Sequence, residues 1–253
     1  MAMAEQILMS EMTWTEVDEA LADRPVALIP VGAVEAHGPH LPLLTDAVIA
    51  TEMARRAARK LKPHGVPSLI LPPVYFTVAE FGADFAGTLS LPPETATALL
   101  RDVAVAAAKR FRCAALVNVH LEPAHMECLK KAVDEAGKAG ASVCCVDLTK
   151  KRWAQMLGAA FQAGDHAGAW ETSLMMAAAP DQVRERERIN LPAIDGLMAA
   201  MKKGAKTFVE AGGEEAYCGD PTAATVEDGN AYFETLGEIA SLTIQEHLGS
   251  KRS

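Results

Sequence analysis

Four short apolar runs lie along the first part of the chain, separated by longer stretches in which apolar and polar residues mix. The runs cover residues 26–34, 68–76, 113–121 and 141–148. Each is almost continuously apolar instead of alternating, which is typical of parallel strands that are covered on both faces. The pattern therefore predicts four buried strands of one sheet.

The segments between these runs repeat their apolar positions with the period of a helix. Predicted helices begin at Thr45, Pro92 and Glu122, and two more cover residues 171–179 and 230–249. Strands that alternate with helices indicate right-handed βαβ units. We therefore predict an α/β fold, a three-layer α/β/α sandwich with a mostly parallel central sheet, in a single domain over residues 1–253.

Composition narrows the classes of partner. Half of the residues are apolar and the formal net charge is −9. Proteins that bind nucleic acid or an anionic membrane present clustered Lys and Arg, so this net charge argues against both kinds of partner. No apolar run approaches the roughly 18 residues of a membrane span, and the N-terminal residues have no basic leader pattern. We expect a small-molecule substrate, no nucleic-acid or membrane partner, and a cytoplasmic location.

The cysteines give no sign of a disulfide framework or a metal-binding motif. They are odd in number, have no C-x-x-C spacing and mostly lie in apolar runs: Cys113, Cys128, Cys144, Cys145 and Cys218. A free cysteine behaves as a small apolar residue. The prediction is that these are buried free thiols.

Carboxylate and imidazole side chains follow two of the predicted strands. Glu35 and His37 follow the first, and His120 and Glu122 follow the third. Residues two apart in an extended chain point to the same side, and ligands of parallel sheets bind beyond the carboxyl ends of the strands. Asp46 stands near the start of a predicted helix, where the helix dipole favours an ionised carboxylate. The sequence thus predicts three carboxylates and two imidazoles in one cleft.

Such a cluster would be costly to bury without compensation, by several kcal/mol. One or two divalent cations would remove that cost, and a mixed imidazole and carboxylate set suits zinc, manganese or iron. Five side chains exceed the three protein ligands of an open catalytic zinc site, so a binuclear site with a bridging carboxylate fits better. The alternative is that each pair is only a solvated strand end.

Other histidines supply candidates for proton transfer. Asp165 and His166 precede a predicted helix, and His166 is a candidate general acid with Asp165 or Glu171 fixing its tautomer or charge. The alternative is a helix-capping aspartate beside a surface histidine. His40 is predicted to be a solvated loop residue, with a supporting role behind the site as the alternative, and His125 to be a helix-surface or capping residue.

In these segments the sequence resembles the creatininase (creatinine amidohydrolase) family. The matching segments are PVGAVEAHGPHLPLLTD, FAGTLSL, VNVHLEP, DHAGAWETSLM and GDPTAAT, in order from about residue 28 to 230. The resemblance implies a hydrolase with two divalent metal ions, Zn²⁺ and/or Mn²⁺ with Fe²⁺ possible, that activate a water for attack on a carbonyl. It also implies a homo-hexamer.

The resemblance further implies a role for each matching residue. Glu35 and His120 would hold one metal ion, His37 and Glu122 the other, and Asp46 would bridge them. His166 would handle the leaving-group proton, so that the predicted catalytic residues are His166, Glu122 and Asp165.

Two positions depart from the pattern of the family and bear on the substrate. Pro123 follows Glu122 where creatininases usually have Asn, and Val119 stands where Gly commonly precedes the histidine. The leading prediction is hydrolysis of a small cyclic amide in the manner of creatinine. The alternatives are a formamide, keto-cyclitol or peptide hydrolase, and a non-catalytic metal- or ligand-binding relative. No charged or apolar patch in the sequence favours a purely structural protein.

Two further predictions concern surfaces. Trp153, Trp170, Phe81 and Phe85 are candidates for a lid that closes over a small flat ring, with burial in the core as the alternative. Alanine- and methionine-rich helical segments support a homo-oligomer, because such faces can be buried against a neighbour. The alternative is that these helices are buried within one chain.

Overall fold

A computed structural model of the chain describes residues 7–250, except for the side chain of Ala163. Its centre is a parallel sheet of four strands, β1 (Val26–Val31), β2 (Ser68–Ile70), β3 (Ala114–Asn118) and β4 (Val143–Val146). The strands lie side by side in the order β2-β1-β3-β4, and each neighbouring pair is parallel. All four predicted strands are present.

Helices connect the strands and continue to the end of the described chain. They are α1 (Trp14–Leu21), α2 (Thr45–Leu61), α3 (Pro93–Ala108), α4 (Pro123–Lys138), α5 (Lys151–Ala163), α6 (Ala169–Ala178), α7 (Glu185–Arg188), α8 (Leu197–Lys202) and α9 (Val226–Ser250). The helices predicted from Thr45, Pro92 and Glu122 correspond to α2, α3 and α4. Those predicted over 171–179 and 230–249 correspond to α6 and α9.

The strands send alternate side chains to opposite faces of the sheet, and each face carries its own helices. Leu28 and Val117 face a core built with α2, α6 and α9. Ile29 and Leu116 face a second core built with α3 and α4. The result is a three-layer α/β/α sandwich around a parallel sheet, which confirms the predicted fold class.

The strands are shorter than predicted where the polar residues begin. β1 ends at Val31, so Glu35 and His37 lie on a loop and not on extended strand. This loop passes very close to the start of α2. A Cβ atom added to Gly32 would lie 2.4 Å from the Cβ of Asp46. Glycine at this position therefore permits the close approach that places Asp46 beside the end of β1.

Two irregular segments meet near the carboxyl edge of the sheet. The Phe208 N–H donates to the Phe81 carbonyl at 2.9 Å, which ties the segment around Phe208 to the loop that follows β2. Phe208, Leu197 and Cys218 form a small apolar cluster against which Phe81 packs. The long loop after β2 therefore packs against the segment around Phe208, and is not simply a surface excursion.

The cysteines agree with their predicted state. None of the five forms a disulfide, four of them are buried, and Cys145 is partly buried. Within residues 7–250, none of the helices combines the length and the apolar character needed to span a membrane.

Candidate metal centre

Asp46 stands between two buried histidines. It lies in the first turn of α2, and its Oδ1 is 3.4 Å from Nε2 of His37. Its Oδ2 is 3.1 Å from Nδ1 of His120 and also accepts the Ala33 N–H at 2.9 Å. The two oxygens of one carboxylate therefore face two different imidazoles, which is the geometry expected of a bridging ligand.

Backbone carbonyls fix the tautomers of these histidines. Nε2 of His120 lies 2.9 Å from the Val78 carbonyl, and Nδ1 of His37 lies 3.0 Å from the Glu35 carbonyl. A carbonyl can only accept, so each of these nitrogens carries a proton. The other nitrogen of each ring faces the carboxylates, and it is the one that would bind a metal ion once its proton is displaced.

Two glutamates complete the cluster, one beside each histidine. Glu35 Oε2 is 3.4 Å from Nδ1 of His120, and Glu171 Oε2 is 3.9 Å from Nε2 of His37. Three groups of buried side chains bring their possible ligand atoms within 4.8 Å of one another: Glu35, Asp46 and His120; His37, Asp46 and Glu171; and Glu35, His37 and His166. Asp46 belongs to two of these groups.

The charges of the cluster shift its pKa values far from their usual range. Burial raises the pKa of Glu35 to about 7 and also raises that of Glu171. Burial acts to lower the pKa of the two histidines, but the surrounding carboxylates raise it to about 10 for both His37 and His120. Burial acts to raise the pKa of Asp46, yet both histidines hold it well below its usual range. The site thus stabilises positive charge.

The donor atoms fit divalent cations. Among the described residues, Glu35 Oε1, His37 Nε2 and Asp46 Oδ1 are buried and make no hydrogen bond. Unpartnered buried polar atoms are rare because each costs about 1–3 kcal/mol. These three atoms point into the same cluster, and their nitrogen and oxygen chemistry suits zinc, manganese or iron. Two ions that share Asp46 would satisfy them.

His166 forms one wall of the cluster. Its Nε2–H donates to the Ala36 carbonyl at 2.8 Å, so Nδ1 carries the lone pair, 3.9 Å from Glu171 Oε2. The ring stacks on Phe208, with centroids 3.9 Å apart and planes 17° apart. Burial lowers the pKa of His166 well below its usual range, and the charge of His37 lowers it further. A neutral ring with one free nitrogen therefore faces the site.

Asp165 has a different position from the one expected of a partner for His166. Its Oδ2 accepts the Trp170 N–H at 2.8 Å, in the first turn of α6. It belongs to none of the three groups formed by the described residues. Glu171, on the same helix, is the carboxylate that faces His166. The backbone between them is strained: Ala167 has φ of 51° and donates its N–H to Glu171 Oε2 at 2.6 Å.

Glu122, predicted from the resemblance as a ligand, also lies outside the three groups of described residues. Its Oε2 accepts the Phe81 N–H at 3.2 Å, and its charge raises the pKa of both Glu35 and His120. It therefore lies at the rim of the cluster. Glu171 faces His37 instead, because α6 packs against α2 and α9 and carries Glu171 inward.

The predictions of a solvated His40 and a helix-surface His125 were wrong. Both rings are completely buried. His40 Nε2 lies 2.9 Å from Thr172 Oγ1, next to Glu171 in α6. His125 lies behind His120, with ring centroids 4.9 Å apart. Local sequence could not reveal this burial, because the covering elements come from distant parts of the chain.

The two tryptophans that were candidates for a lid are core residues. Trp153 and Trp170 are each only 3% exposed, and Trp170 packs against Phe161 and Tyr232. They are therefore not available to close over a substrate, and core burial is the correct alternative for these two. The aromatic residue that stacks on His166 is Phe208. Nothing in the sequence indicated this role, because Phe208 lies in an irregular segment without periodicity.

Comparisons with known proteins agree with this geometry. A family model described as Creatininase, Creatinine amidohydrolase, matches residues 10–242. A mycofactocin precursor peptide peptidase of Mycobacterium tuberculosis is 33% identical over 222 residues, which cover 84% of this chain and 81% of the relative. A creatinine amidohydrolase of Pseudomonas putida is 30% identical over 195 residues, which cover 72% of this chain and 75% of the relative.

Solved structures share the fold. A structure titled Creatininase Mn has a TM-score of 0.76 at 23% identity and covers 96% of this chain and 98% of its own. A mutant creatininase of Zn-Zn type has a TM-score of 0.72 at 23% identity, with the same coverage of both chains. The family model over residues 10–242 and the two relatives of 30% identity or more show that the chain belongs to the creatininase family of metal-dependent hydrolases, and the buried cluster of ligand side chains agrees with this.

Proposed function

We propose that this protein is a binuclear metal-dependent hydrolase that cleaves an amide C–N bond. Glu35 and His120 would hold one divalent ion, His37 and Glu171 would hold the other, and Asp46 would be shared by both. The observation that carries this proposal is Asp46, whose two oxygens face two different imidazoles. Zinc and manganese are the leading candidates, because the donor set combines imidazole with carboxylate.

The side chains around the ions have separate tasks in this proposal. When bound, two divalent ions supply an activated water and polarise the carbonyl that it attacks. His166 takes up or delivers the leaving-group proton at Nδ1, because its Nε2–H is held by the Ala36 carbonyl. Phe208 covers the face of this ring and excludes water from it. Glu122 at the rim is a second candidate for proton transfer.

A peptide is the substrate class that we favour. Two observations support it: the peptide peptidase relative is the more similar of the two and matches more of this chain, and both tryptophans of the expected lid lie in the core. A small cyclic amide is the second candidate, favoured by the resemblance to the Pseudomonas putida creatinine amidohydrolase. We also propose a cytoplasmic homo-oligomer, a hexamer by family resemblance, which light scattering would test against the 26.8 kDa chain mass.

The test begins with metal-depleted protein, which should hydrolyse neither substrate class. Reconstitution with zinc or manganese should restore hydrolysis in a panel of short peptides, lactams and creatinine. The His166→Gln variant should keep two equivalents of metal but lose about 10²–10⁴-fold in kcat, the usual contribution of a general acid or base. A reconstituted protein that hydrolyses nothing in the panel, or that binds less than two equivalents, would count against the proposal.

A further inference from the structure

His125 is buried behind the metal centre and is connected to it through Asn118. Asn118 is the last residue of β3, and its Nδ2 lies 2.7 Å from the backbone carbonyl of His120. Because a carbonyl only accepts, the amino group of Asn118 must point there. Its other end, Oδ1, therefore faces Nε2 of His125, at 2.9 Å. An amide oxygen also only accepts, so Nε2 of His125 must carry a proton and donate it.

The other nitrogen of His125 has an equally definite partner. The Thr77 hydroxyl lies 2.7 Å from Nδ1 of His125. In a neutral ring with its proton on Nε2, Nδ1 is an acceptor, so Thr77 donates. The next residue along the chain, Val78, supplies the carbonyl that accepts the Nε2–H of His120. Adjacent residues of one loop therefore hold both imidazoles.

We propose that His125 is a positioning residue for the metal ligand His120. It fixes His120 in two ways. Asn118 links it by hydrogen bonds to the backbone carbonyl of His120, and the two imidazole rings are in contact, with centroids 4.9 Å apart. The inference rests on the proposed metal centre, in which His120 presents Nδ1 to one ion. Buried polar networks of this kind stabilise one arrangement strongly when every member is partnered.

A pair of matched variants tests the essential hydrogen bond. In His125→Gln the side-chain amide reaches about as far as Nε2 and can still donate to Asn118. In His125→Asn the amide reaches only as far as Nδ1, so the bond to Asn118 is lost while the partner of Thr77 remains. Both variants replace the ring by a neutral amide in the same cavity. His125→Gln keeps the bond to Asn118 and gives up the one to Thr77, and His125→Asn does the reverse, so the pair shows which of the two bonds matters.

The readout is the binding of Co²⁺ and Zn²⁺ to purified full-length protein, measured by visible absorption of cobalt and by competition with a chromophoric chelator. We expect His125→Asn to weaken one of the two metal equivalents by about 10–100-fold, the usual effect of removing an outer partner of a metal ligand. The affinity for the other metal equivalent should be unchanged, and His125→Gln should recover most of the lost affinity. General destabilisation would weaken both equivalents and would not be rescued.

Other outcomes separate this inference from the proposed function. Wild-type protein that binds neither ion would overturn the metal centre itself. Wild-type protein that binds two equivalents, together with a His125→Asn variant of unchanged affinity and spectrum, would overturn only the role of His125. If His125→Asn does not fold, Asn118→Ala removes both hydrogen bonds that link His125 to the backbone of His120. That variant should weaken the same single equivalent, and an unchanged affinity there would also overturn the inference.

Discussion

The two halves of the proposed metal centre provide the same ligand types from different kinds of structure. The strand half consists of Glu35 and His120, which follow two adjacent strands, β1 and β3. The helix half consists of His37, on the loop after β1, and Glu171, in the first turn of α6. Asp46 is shared by both.

The halves also differ in what holds them. In the strand half, His120 is fixed by the Val78 carbonyl and, through Asn118, by His125. In the helix half, Glu171 accepts the N–H of the strained residue Ala167. The strand half depends on neighbouring strands and the helix half on the docking of a distant helix. The strand half can therefore be inferred from local spacing, whereas the helix half depends on packing.

The largest effect should come from the residue that the halves share. Asp46→Asn should lower kcat/KM by at least about 10³-fold, because losing both ions removes several kcal/mol of transition-state stabilisation. Metal analysis should show loss of both equivalents. Asp84→Asn, an exposed aspartate in the loop after β2, is the control and should retain both. An Asp46→Asn protein with one tightly bound ion would show that the halves are independent.

A pair of glutamate variants tests which carboxylate belongs to the helix half. Glu171→Gln should remove one equivalent of metal, because Glu171 Oε2 faces Nε2 of His37. Glu122→Gln should retain both equivalents, because Glu122 lies at the rim and accepts from Phe81. Metal content after dialysis checks both. The reverse result would assign Glu122 to the helix half, as the family resemblance implies.

Metal uptake should release protons from both halves. In the metal-free protein, burial opposes but the carboxylates raise the pKa of His37 and His120, to about 10 in each case. Near neutral pH an ion must displace these protons. The apparent affinity for the ion should therefore fall about tenfold for each unit by which the pH is lowered and for each proton displaced. An indicator dye in weak buffer measures the release on zinc addition. Glu171→Gln should release fewer protons, and zinc binding without release would contradict the expectation.

The smallest effect concerns the contact that positions the shared residue. Gly32→Ala would place a Cβ 2.4 Å from the Cβ of Asp46 and should cost about 1–3 kcal/mol in the free energy of unfolding. Urea titration of the metal-free protein measures it. Gly137→Ala, within α4, is the matched control because its added Cβ meets nothing within 4 Å. That variant should be neutral or slightly more stable. Equal stability of the two variants would refute the close-contact argument.

Much of the fold and of the strand half could be predicted from the sequence. Continuous apolar runs gave the four strands, and the spacing of Glu35 and His120 after two of them placed both at one edge. Asp46 was expected near the start of a helix, and it lies in the first turn of α2. Glu171 was predicted only as a partner of His166, because nothing in the sequence near it indicates that α6 docks against α2 and α9. Phe208 had no periodic signal at all.

Periodicity and residue chemistry by themselves determined the parallel sheet, its covering helices and the presence of a carboxylate and imidazole cluster, because strand and helix periods are local properties of the chain. Tertiary structure alone decided which carboxylate faces His37 and which histidines are buried. In sequence, His40 looks like an exposed loop residue and His125 like a helix-surface residue. Both are buried, because segments distant along the chain cover them. Burial is a property of the packed molecule, and in His125 it is accompanied by a hydrogen-bond partner for each ring nitrogen.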